Sequence, residues 1–229
     1  MKYIALICAR GESKGLPKKN IRLLNGIPLM AWSIKIAKKI DRVSSVIVST
    51  DSEEIANIAI DYGAQVPFIR PKELALDDSP EWLVWRHAIN YLESQQNEVV
   101  NLLVLPATAP LRSIKDVNNC IDEFEKGDVD SIITVSEAKR NPYFNMTTND
   151  DKGYSSIVIN NDGVSRRQDA PKVFDMTTVA YVIKSEFIKK YNGIFEGKVR
   201  SVCIPEERAI DIDTMLDFKI AEYLISSKK

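Results

Sequence analysis

The chain contains few of the residues that several classes of protein require. It has one histidine, His87, and three cysteines, Cys8, Cys120 and Cys203, in 229 residues. The cysteines are odd in number, far apart and without C-x-x-C spacing, which argues against a disulfide framework and a zinc knuckle. A Ser-His or Cys-His nucleophile would depend on His87 alone. This cysteine usage fits a reducing compartment, and we expect the protein to be cytoplasmic.

Net charge and long apolar segments are also scarce. Lys and Arg number 31 against 32 Asp and Glu, so the chain has no overall positive field, and we expect no nucleic-acid partner. The N-terminal apolar run, residues 3–9, is too short to span a membrane and lacks a signal-peptide cleavage pattern, so no membrane association is expected. Hydrophobic residues make up 45% and charged residues 28%, which is typical of a soluble globular protein with one main core.

Apolar runs rich in β-branched residues alternate with segments of helical period. This alternation predicts an α/β fold with a doubly wound, mainly parallel sheet. The predicted strands are residues 3–9, 46–50, 66–69, 102–107, 131–135, 155–159, 178–183 and 199–204.

The helices and the domain organisation follow from capping residues and composition. Helices are predicted over 80–95, 114–126 and 214–226, the second with a capping box of Ser113 and Asp116. The polar segment 138–175 breaks the strand–helix alternation and is interpreted as an insertion or arm. Since no repeat or linker is present, we expect a single domain over 1–229.

The segment after the first predicted strand has the composition of a phosphate-binding loop. Residues 9–20, here called the basic loop, read A-R-G-E-S-K-G-L-P-K-K-N. Glycines let backbone N–H groups approach a phosphate closely, and fixed cations offset its charge. A solvated basic turn is the alternative, although the carboxyl end of a strand is where α/β sheets bind ligands. The loop matches neither the Rossmann nor the Walker pattern, so another class of nucleotide-binding protein is indicated.

Asp211 and Asp213 are a second candidate site. On a strand, their alternation across Ile212 would put both carboxylates on one face. Mg²⁺ takes oxygen ligands and commonly uses one or two carboxylates together with substrate phosphates. The alternative is that these residues cap the terminal helix, but a cap would account for only one of them.

The basic loop, as A-R-x-x-S-K-G-L-P-x-K-N, resembles the opening signature of the acylneuraminate cytidylyltransferases, the CMP-sialic acid synthetase family. Blocks at 48–52, 70–75, 107–112 and 210–217 are similar to family blocks in the same order, so the resemblance covers nearly the whole chain. It implies a nucleotidyltransferase, Rossmann-like fold with a small dimerisation arm at 138–175, and a homodimer with shared active sites.

The resemblance also implies a reaction. CTP would be the co-substrate and Mg²⁺ the cofactor, and CMP would pass to the anomeric hydroxyl of a nonulosonic, sialic-type acid with release of pyrophosphate. Two alternatives stay open: a 3-deoxy-manno-octulosonate cytidylyltransferase, and a non-catalytic nucleotide-binding protein of the same fold. Presence of both Asp211 and Asp213 together with the whole basic loop favours a catalyst.

The residues at matching positions receive roles from the resemblance. The expected catalytic residues are Arg10, Lys14 and Asp211, the expected metal ligands are Asp211 and Asp213, and the expected substrate-binding residues are Ser13, Lys19, Asn20, Arg70, Thr108, Arg167 and Thr177. Arg167 lies in the arm and would enter the partner subunit's site near the substrate carboxylate, unless it belongs to a plain solvated face.

Several positions depart from the sialic-acid pattern. Glu12 stands where glycine is often found, and we expect it to face solvent because a carboxylate next to a triphosphate is unfavourable. Pro106 replaces a glutamine, and Asp175 replaces a cation. The arm instead resembles the CMP-legionaminic acid branch, so we expect the enzyme to accept N-acetylneuraminic acid but to prefer a relative such as legionaminic acid or the deaminated nonulosonic acid. Arg112 has two open interpretations, a site residue or a capping or surface-pairing arginine.

Overall fold

A computed structural model describes residues 2–96, 101–160, 163–164 and 166–227. The strands are β1 (Tyr3–Cys8), β2 (Leu23–Leu24), β3 (Ile27–Pro28), β4 (Val43–Ser49), β5 (Asn101–Val104), β6 (Ser131–Glu137), β7 (Thr147–Asn149), β8 (Ser155–Ile157), β9 (Phe174–Lys184) and β10 (Val199–Cys203). The helices are α1 (Leu29–Ala37), α2 (Glu53–Asp61), α3 (Glu81–Gln96), α4 (Ile114–Glu125), α5 (Ser185–Lys190) and α6 (Met215–Ser226).

Six of these strands form the central sheet, in the order β10-β6-β9-β5-β1-β4. Strand β1 pairs in parallel with β4 and β5, and β10 pairs in parallel with β6. Strand β9 runs antiparallel to both of its neighbours, β5 and β6. The mainly parallel α/β sheet expected from the sequence is therefore confirmed, with one reversed strand in its interior.

Helices cover both faces of this sheet, as a doubly wound fold requires. Alternate residues of β1 enter different cores: Ala5 and Ile7 pack on the face covered by α1, α2 and α4, whereas Ile4 and Leu6 pack on the face of α3 and α5. This alternation follows from the two-residue period of a strand. Full burial of each large side chain contributes about 1.5–3 kcal/mol, so both faces drive folding.

The capping chemistry predicted for α4 is present. The Ser113 hydroxyl accepts a hydrogen bond from the Asp116 N–H at 3.2 Å, and the Asp116 carboxylate accepts one from the Ser113 N–H at 2.8 Å. Gly127 follows the helix with a φ of 78°, a left-handed conformation that glycine adopts without strain. Helix α4 is thus held at both ends by local sequence.

The strand predicted over residues 66–69 is wrong. Only isolated bridges join this stretch to β4 and its end, between Ile47 and Gln65 and between Thr50 and Ile69. Pro67 interrupts the run, and proline cannot donate a hydrogen bond to a strand ladder. The segment runs alongside β4 in parallel orientation, and the Arg70 N–H donates to the Thr50 carbonyl at 2.7 Å, which places Arg70 at the carboxyl end of that strand.

The polar segment 138–175 leaves the body of the fold between β6 and β9. Strands β7 and β8 pair with each other as an antiparallel hairpin that is separate from the central sheet. Residues 161, 162 and 165 of this segment lie outside the described residues. Within the described ranges, no helix is both long and apolar enough to span a bilayer.

Candidate active site

The basic loop is anchored by its own side chains and by the strand next to it. The Gly11 N–H donates to the Asp51 carboxylate at 2.9 Å, and the buried Asn20 amide donates to the Arg10 carbonyl at 2.9 Å. Lys18 takes a left-handed φ of 54°, which turns the chain into the short helix Lys19–Ile21. The amide nitrogen of Asn20 therefore holds the loop in shape.

The basic loop contacts residues from near the other end of the chain. The Lys19 ammonium donates to the Asp213 carboxylate at 2.8 Å, and the Ile212 N–H donates to the Thr108 carbonyl at 2.9 Å. A Cβ on Gly15 would lie 2.5 Å from the Asp213 carbonyl oxygen, so only glycine fits this approach. These contacts bring three distant segments to one point.

A cavity of about 260 Å³ opens at the carboxyl ends of the strands. The predicted site residues that line this nucleotide cavity are Arg10, Lys19, Asn20, Arg70 and Thr108. Ser13 and Lys14 line an adjoining pocket beside the basic loop, together with Glu12, which is exposed. Seven of the predicted residues are thus gathered in two adjoining depressions.

Arg70 is a buried cation on the wall of the nucleotide cavity. Its guanidinium donates to the Ser49 carbonyl at 3.2 Å and to the Leu74 carbonyl at 3.4 Å. Its Nε is buried and has no hydrogen-bond partner among the described residues. A buried donor left without a partner is costly, which distinguishes Arg70 from an ordinary structural arginine.

Two acidic residues of the site were not identified from the sequence. Asp77 forms ion pairs with Arg10 at 2.7 Å and with Lys14 at 2.6 Å. Glu81, the first residue of α3, lines the nucleotide cavity. Desolvation of its carboxyl raises its pKa; the charge of Asp211 adds to this shift and the charge of Arg70 opposes it. Neither residue lies in the basic loop or in the 210–213 block, so only their proximity in the fold reveals them.

Asp211 and Asp213 do not lie on a strand, contrary to the expectation. They flank Ile212, which is fully buried against Leu16 and Phe218. The Asp213 side chain is 71% exposed, whereas Oδ1 of Asp211 is buried and accepts no hydrogen bond from the described residues. Neither aspartate caps α6, because Thr214 does so, accepting a hydrogen bond from the Asp217 N–H at 3.3 Å.

Arg112 supports the site from beneath and is not a surface-pairing residue. Its guanidinium donates to the Ser33 hydroxyl at 2.7 Å and to the Pro106 carbonyl, and it is 3% exposed. Burial lowers the pKa of this guanidinium to about 9, and attraction to Asp211 opposes that shift. The buried cation is therefore attracted to Asp211, and its hydrogen bond to the Pro106 carbonyl fixes the loop that contains Thr108.

The carboxylates fit a hard divalent cation that also uses substrate oxygens. The Asp211 oxygen without a hydrogen bond is the kind of donor that Mg²⁺ prefers. Within the described ranges, no three His, Cys, Asp or Glu residues gather as a ready-made cage. Any Mg²⁺ here would depend on one or two aspartates plus ligand phosphates and water, which is its common binding mode.

Thr177 and Arg167 lie apart from the nucleotide cavity. The Thr177 hydroxyl is buried in the sheet and donates to the Thr134 hydroxyl at 2.9 Å, at an irregularity in the pairing of β6 with β9. Arg167 is exposed and lines a different cavity of about 400 Å³ in the arm, together with Asn141 and Lys172. Within one chain, these two residues do not join the other predicted site residues.

The fold belongs to the nucleotidyltransferase class. A solved structure of CMP:2-keto-3-deoxy-manno-octonic acid synthetase complexed with CTP superposes with a TM-score of 0.72 at 13% identity, covering 100% of both chains. At the sequence level, the chain belongs to the cytidylyltransferase family, whose profile matches residues 4–219.

Curated relatives match over nearly the whole chain. CMP-N,N'-diacetyllegionaminic acid synthase of Campylobacter jejuni subsp. jejuni serotype O:2 is 37% identical over 227 residues, covering 98% of this chain and 95% of the relative. Pseudaminic acid cytidylyltransferase of Campylobacter jejuni subsp. jejuni serotype O:23/36 is 31% identical over 232 residues, covering 98% and 96%.

Proposed function

We propose that the protein transfers CMP from CTP to the anomeric hydroxyl of a nonulosonic acid and releases pyrophosphate. The observation that carries this proposal is the nucleotide cavity, which gathers cations of the basic loop and the buried Arg70 in a chain of the cytidylyltransferase family. Two of its lining residues, Lys19 and Thr108, contact the segment 211–213. Relatives that match along the chain are named for CMP transfer to nonulosonic acids. The reaction is thus a displacement at phosphorus in which the protein contributes positioning and charge stabilisation.

The residues of the basic loop act on the phosphates. The anomeric oxygen attacks the α-phosphorus of CTP, the bond from that phosphorus to the bridging oxygen breaks, and pyrophosphate leaves with the bond electrons. Arg10 and Lys14 stabilise the charge that accumulates on the phosphate oxygens. Lys19 and Ser13 orient the triphosphate of CTP. Arg70 and Thr108 frame the cytidine in the nucleotide cavity. No covalent intermediate with the enzyme is required.

Asp211 and Asp213 complete the site. These carboxylates would hold Mg²⁺, which would supply further charge neutralisation during the displacement. Asp211 has a buried oxygen without a hydrogen-bond partner, so it is placed either to bind the cation or to accept the proton of the attacking hydroxyl. The buried guanidinium of Arg112 is attracted to Asp211 and so helps to hold this segment in place.

The arm is proposed to join two copies of the chain, so that Arg167 of one copy reaches the acceptor site of the other. Support comes from the apolar side chains that the arm and the start of β9 expose to solvent. Tyr154 is 72% exposed, Phe174 is 51% exposed and Met176 is 46% exposed. Exposed apolar side chains of this size are common at interfaces between subunits. We place the assembled enzyme in the cytoplasm.

The acceptor is proposed to be of the legionaminic type. The relative named for N,N'-diacetyllegionaminic acid is 37% identical and the one named for pseudaminic acid 31%. Two departures from the sialic-acid pattern support a changed acceptor site. Pro106 offers no side-chain donor, and Asp175 is exposed and forms no ion pair within the described residues, so it is available to a ligand.

Pyrophosphate release with CTP and Mg²⁺ tests the proposal. The acceptor panel is N,N'-diacetyllegionaminic acid, pseudaminic acid, N-acetylneuraminic acid, the deaminated nonulosonic acid and 3-deoxy-manno-octulosonate. We expect the highest kcat/KM for a nonulosonic acid, with the legionaminic acid first. A preference for the eight-carbon acid would replace the acceptor class, and no turnover with any acid would favour a non-catalytic nucleotide-binding protein. A preference for N-acetylneuraminic acid would show that Pro106 and Asp175 do not determine specificity.

A further inference from the structure

The Asp77 carboxylate forms ion pairs with two cations of the basic loop, Arg10 and Lys14. One carboxylate oxygen lies 2.7 Å from Arg10 Nη2, and the other lies 2.6 Å from Lys14 Nζ. The hydrogen bond from Lys14 and its charge, followed by the charge of Arg10, lower the pKa of the Asp77 carboxyl, which is therefore an anion at neutral pH. The two groups expected to bind the phosphates already have a negative partner in the protein itself.

The position of Asp77 matches that of a phosphate chain. Asp77 is a lining residue of both the nucleotide cavity and the adjoining basic-loop pocket. A nucleotide with its base and sugar in the first depression and its phosphates in the second must pass this carboxylate. Since like charges repel, Asp77 and the phosphates cannot both bind Arg10 and Lys14 at the same time.

The segment that contains Asp77 can yield without disturbing the core. Before Asp77, the chain is held by the hydrogen bond from Arg70 to the Leu74 carbonyl. After Asp77, it is held by the hydrogen bond from the Ser79 hydroxyl to the Glu73 carbonyl at 2.6 Å. Between these anchors, Leu76, Asp77 and Asp78 are exposed. Displacement of Asp77 from the cations therefore breaks two partly exposed ion pairs and exposes no new apolar core.

We propose that Asp77 is a specificity-determining residue that competes with phosphates for Arg10 and Lys14, so that ligands with a polyphosphate chain are selected. This inference rests on the proposed function, in that CTP is taken as the nucleotide. A triphosphate brings more charge and more acceptor oxygens than one carboxylate and replaces both ion pairs. A nucleoside without phosphates cannot replace them, and its binding does not depend on Asp77.

The test is isothermal titration calorimetry without divalent metal, in EDTA, with CTP, inorganic triphosphate and cytidine. Omitting the metal removes any contribution of Asp77 as a metal ligand. For Asp77→Asn we expect CTP and inorganic triphosphate to bind about threefold to tenfold more tightly, which is the range that two partly exposed ion pairs cover. Cytidine affinity should stay unchanged. Asp78→Asn is the matched control, because it removes the same charge one residue away and Asp78 forms no ion pair within the described chain.

The outcomes separate the inference from the proposed function. Weaker or unchanged CTP binding by Asp77→Asn would overturn the inference, as would an equal gain in Asp78→Asn, which would indicate only a change in overall charge. A wild-type protein that does not bind CTP at all would instead contradict the proposed function. In that case the inorganic triphosphate titration still decides whether Asp77 competes for the loop cations.

Discussion

Replacement of Asp211 by asparagine should separate catalysis from folding. The substitution keeps the volume of the side chain and removes its charge. Because Oδ1 of Asp211 accepts no hydrogen bond in the described structure, no buried bond is lost there. The main structural effect is weaker attraction to the buried Arg112, so we expect the free energy of unfolding to change by about 1 kcal/mol or less.

The expected effect on turnover is much larger. A group that stabilises charge in the transition state commonly contributes about 3–4 kcal/mol, which corresponds to about 10²–10³-fold in rate. We therefore expect Asp211→Asn to lower kcat at least about 10²-fold at low Mg²⁺. Asp213→Asn should also strongly lower kcat at low Mg²⁺, although its ion pair with Lys19 contributes at most about 1 kcal/mol to stability because Asp213 is largely exposed.

Continuous pyrophosphate detection over a range of Mg²⁺ concentrations measures these effects, and denaturant unfolding monitors the fold. Asp61→Asn is a suitable control, since Asp61 is an exposed aspartate at the end of α2 and belongs neither to the basic loop nor to the segment 211–213. Near-normal turnover of both site variants at low Mg²⁺ would refute the assignment of these carboxylates. A large loss of stability in Asp211→Asn would instead show that its charge holds Arg112 in place.

Two further predictions concern the arm and the support of α4. Arg167→Ala should raise the KM of the acid about tenfold, as expected for the loss of a charged hydrogen bond, and should raise the KM of CTP less. A monomer in sedimentation that is fully active would contradict the shared site. Asp116 is buried, and although burial opposes the shift, hydrogen bonds from Arg208 and Ser113 hold the pKa of its carboxyl below 3.8. Its contribution to stability is therefore present above that pH and is lost as the pH falls through the lowered pKa. Asp116→Asn should cost about 2–4 kcal/mol at pH 7 and less at pH 3 in denaturant titrations, and an equal cost at both pH values would exclude this electrostatic origin.

The parts of the fold that depend on local chemistry were predictable from the sequence. Ser113 and Asp116 predicted the start of α4 because a capping box is formed by residues three apart. The end of this helix is local as well, because Gly127 directly after it takes a left-handed φ that glycine adopts without strain. The reversal of β9 was not predictable, since a buried apolar run has the same composition in either direction. Pro67 could have corrected the false strand over 66–69, because its missing N–H is visible in the sequence.

The candidate site was predictable where the chemistry lies within one short segment. The basic loop contains its cations and glycines in sequence order, so residues such as Arg10 and Lys14 could be named. Asp77 could not, because its ion pairs join residues more than sixty positions apart and no local pattern marks it. Arg112 was left open for a similar reason: its burial depends on Ser33 and on the Pro106 carbonyl, which only the folded chain brings next to it.

The contact between Lys19 and Asp213 joins residues 194 positions apart, and this separation has a consequence for synthesis. Ribosomes add about 5–20 residues per second, so the basic loop precedes the aspartates by about 10 to 40 seconds. Under the proposed function, a growing chain acquires the groups that bind phosphates well before the carboxylates that complete the reaction centre. Activity can therefore start only after the segment 211–213 has been made, and a chain interrupted before Asp211 retains the loop cations without the carboxylates that complete the site.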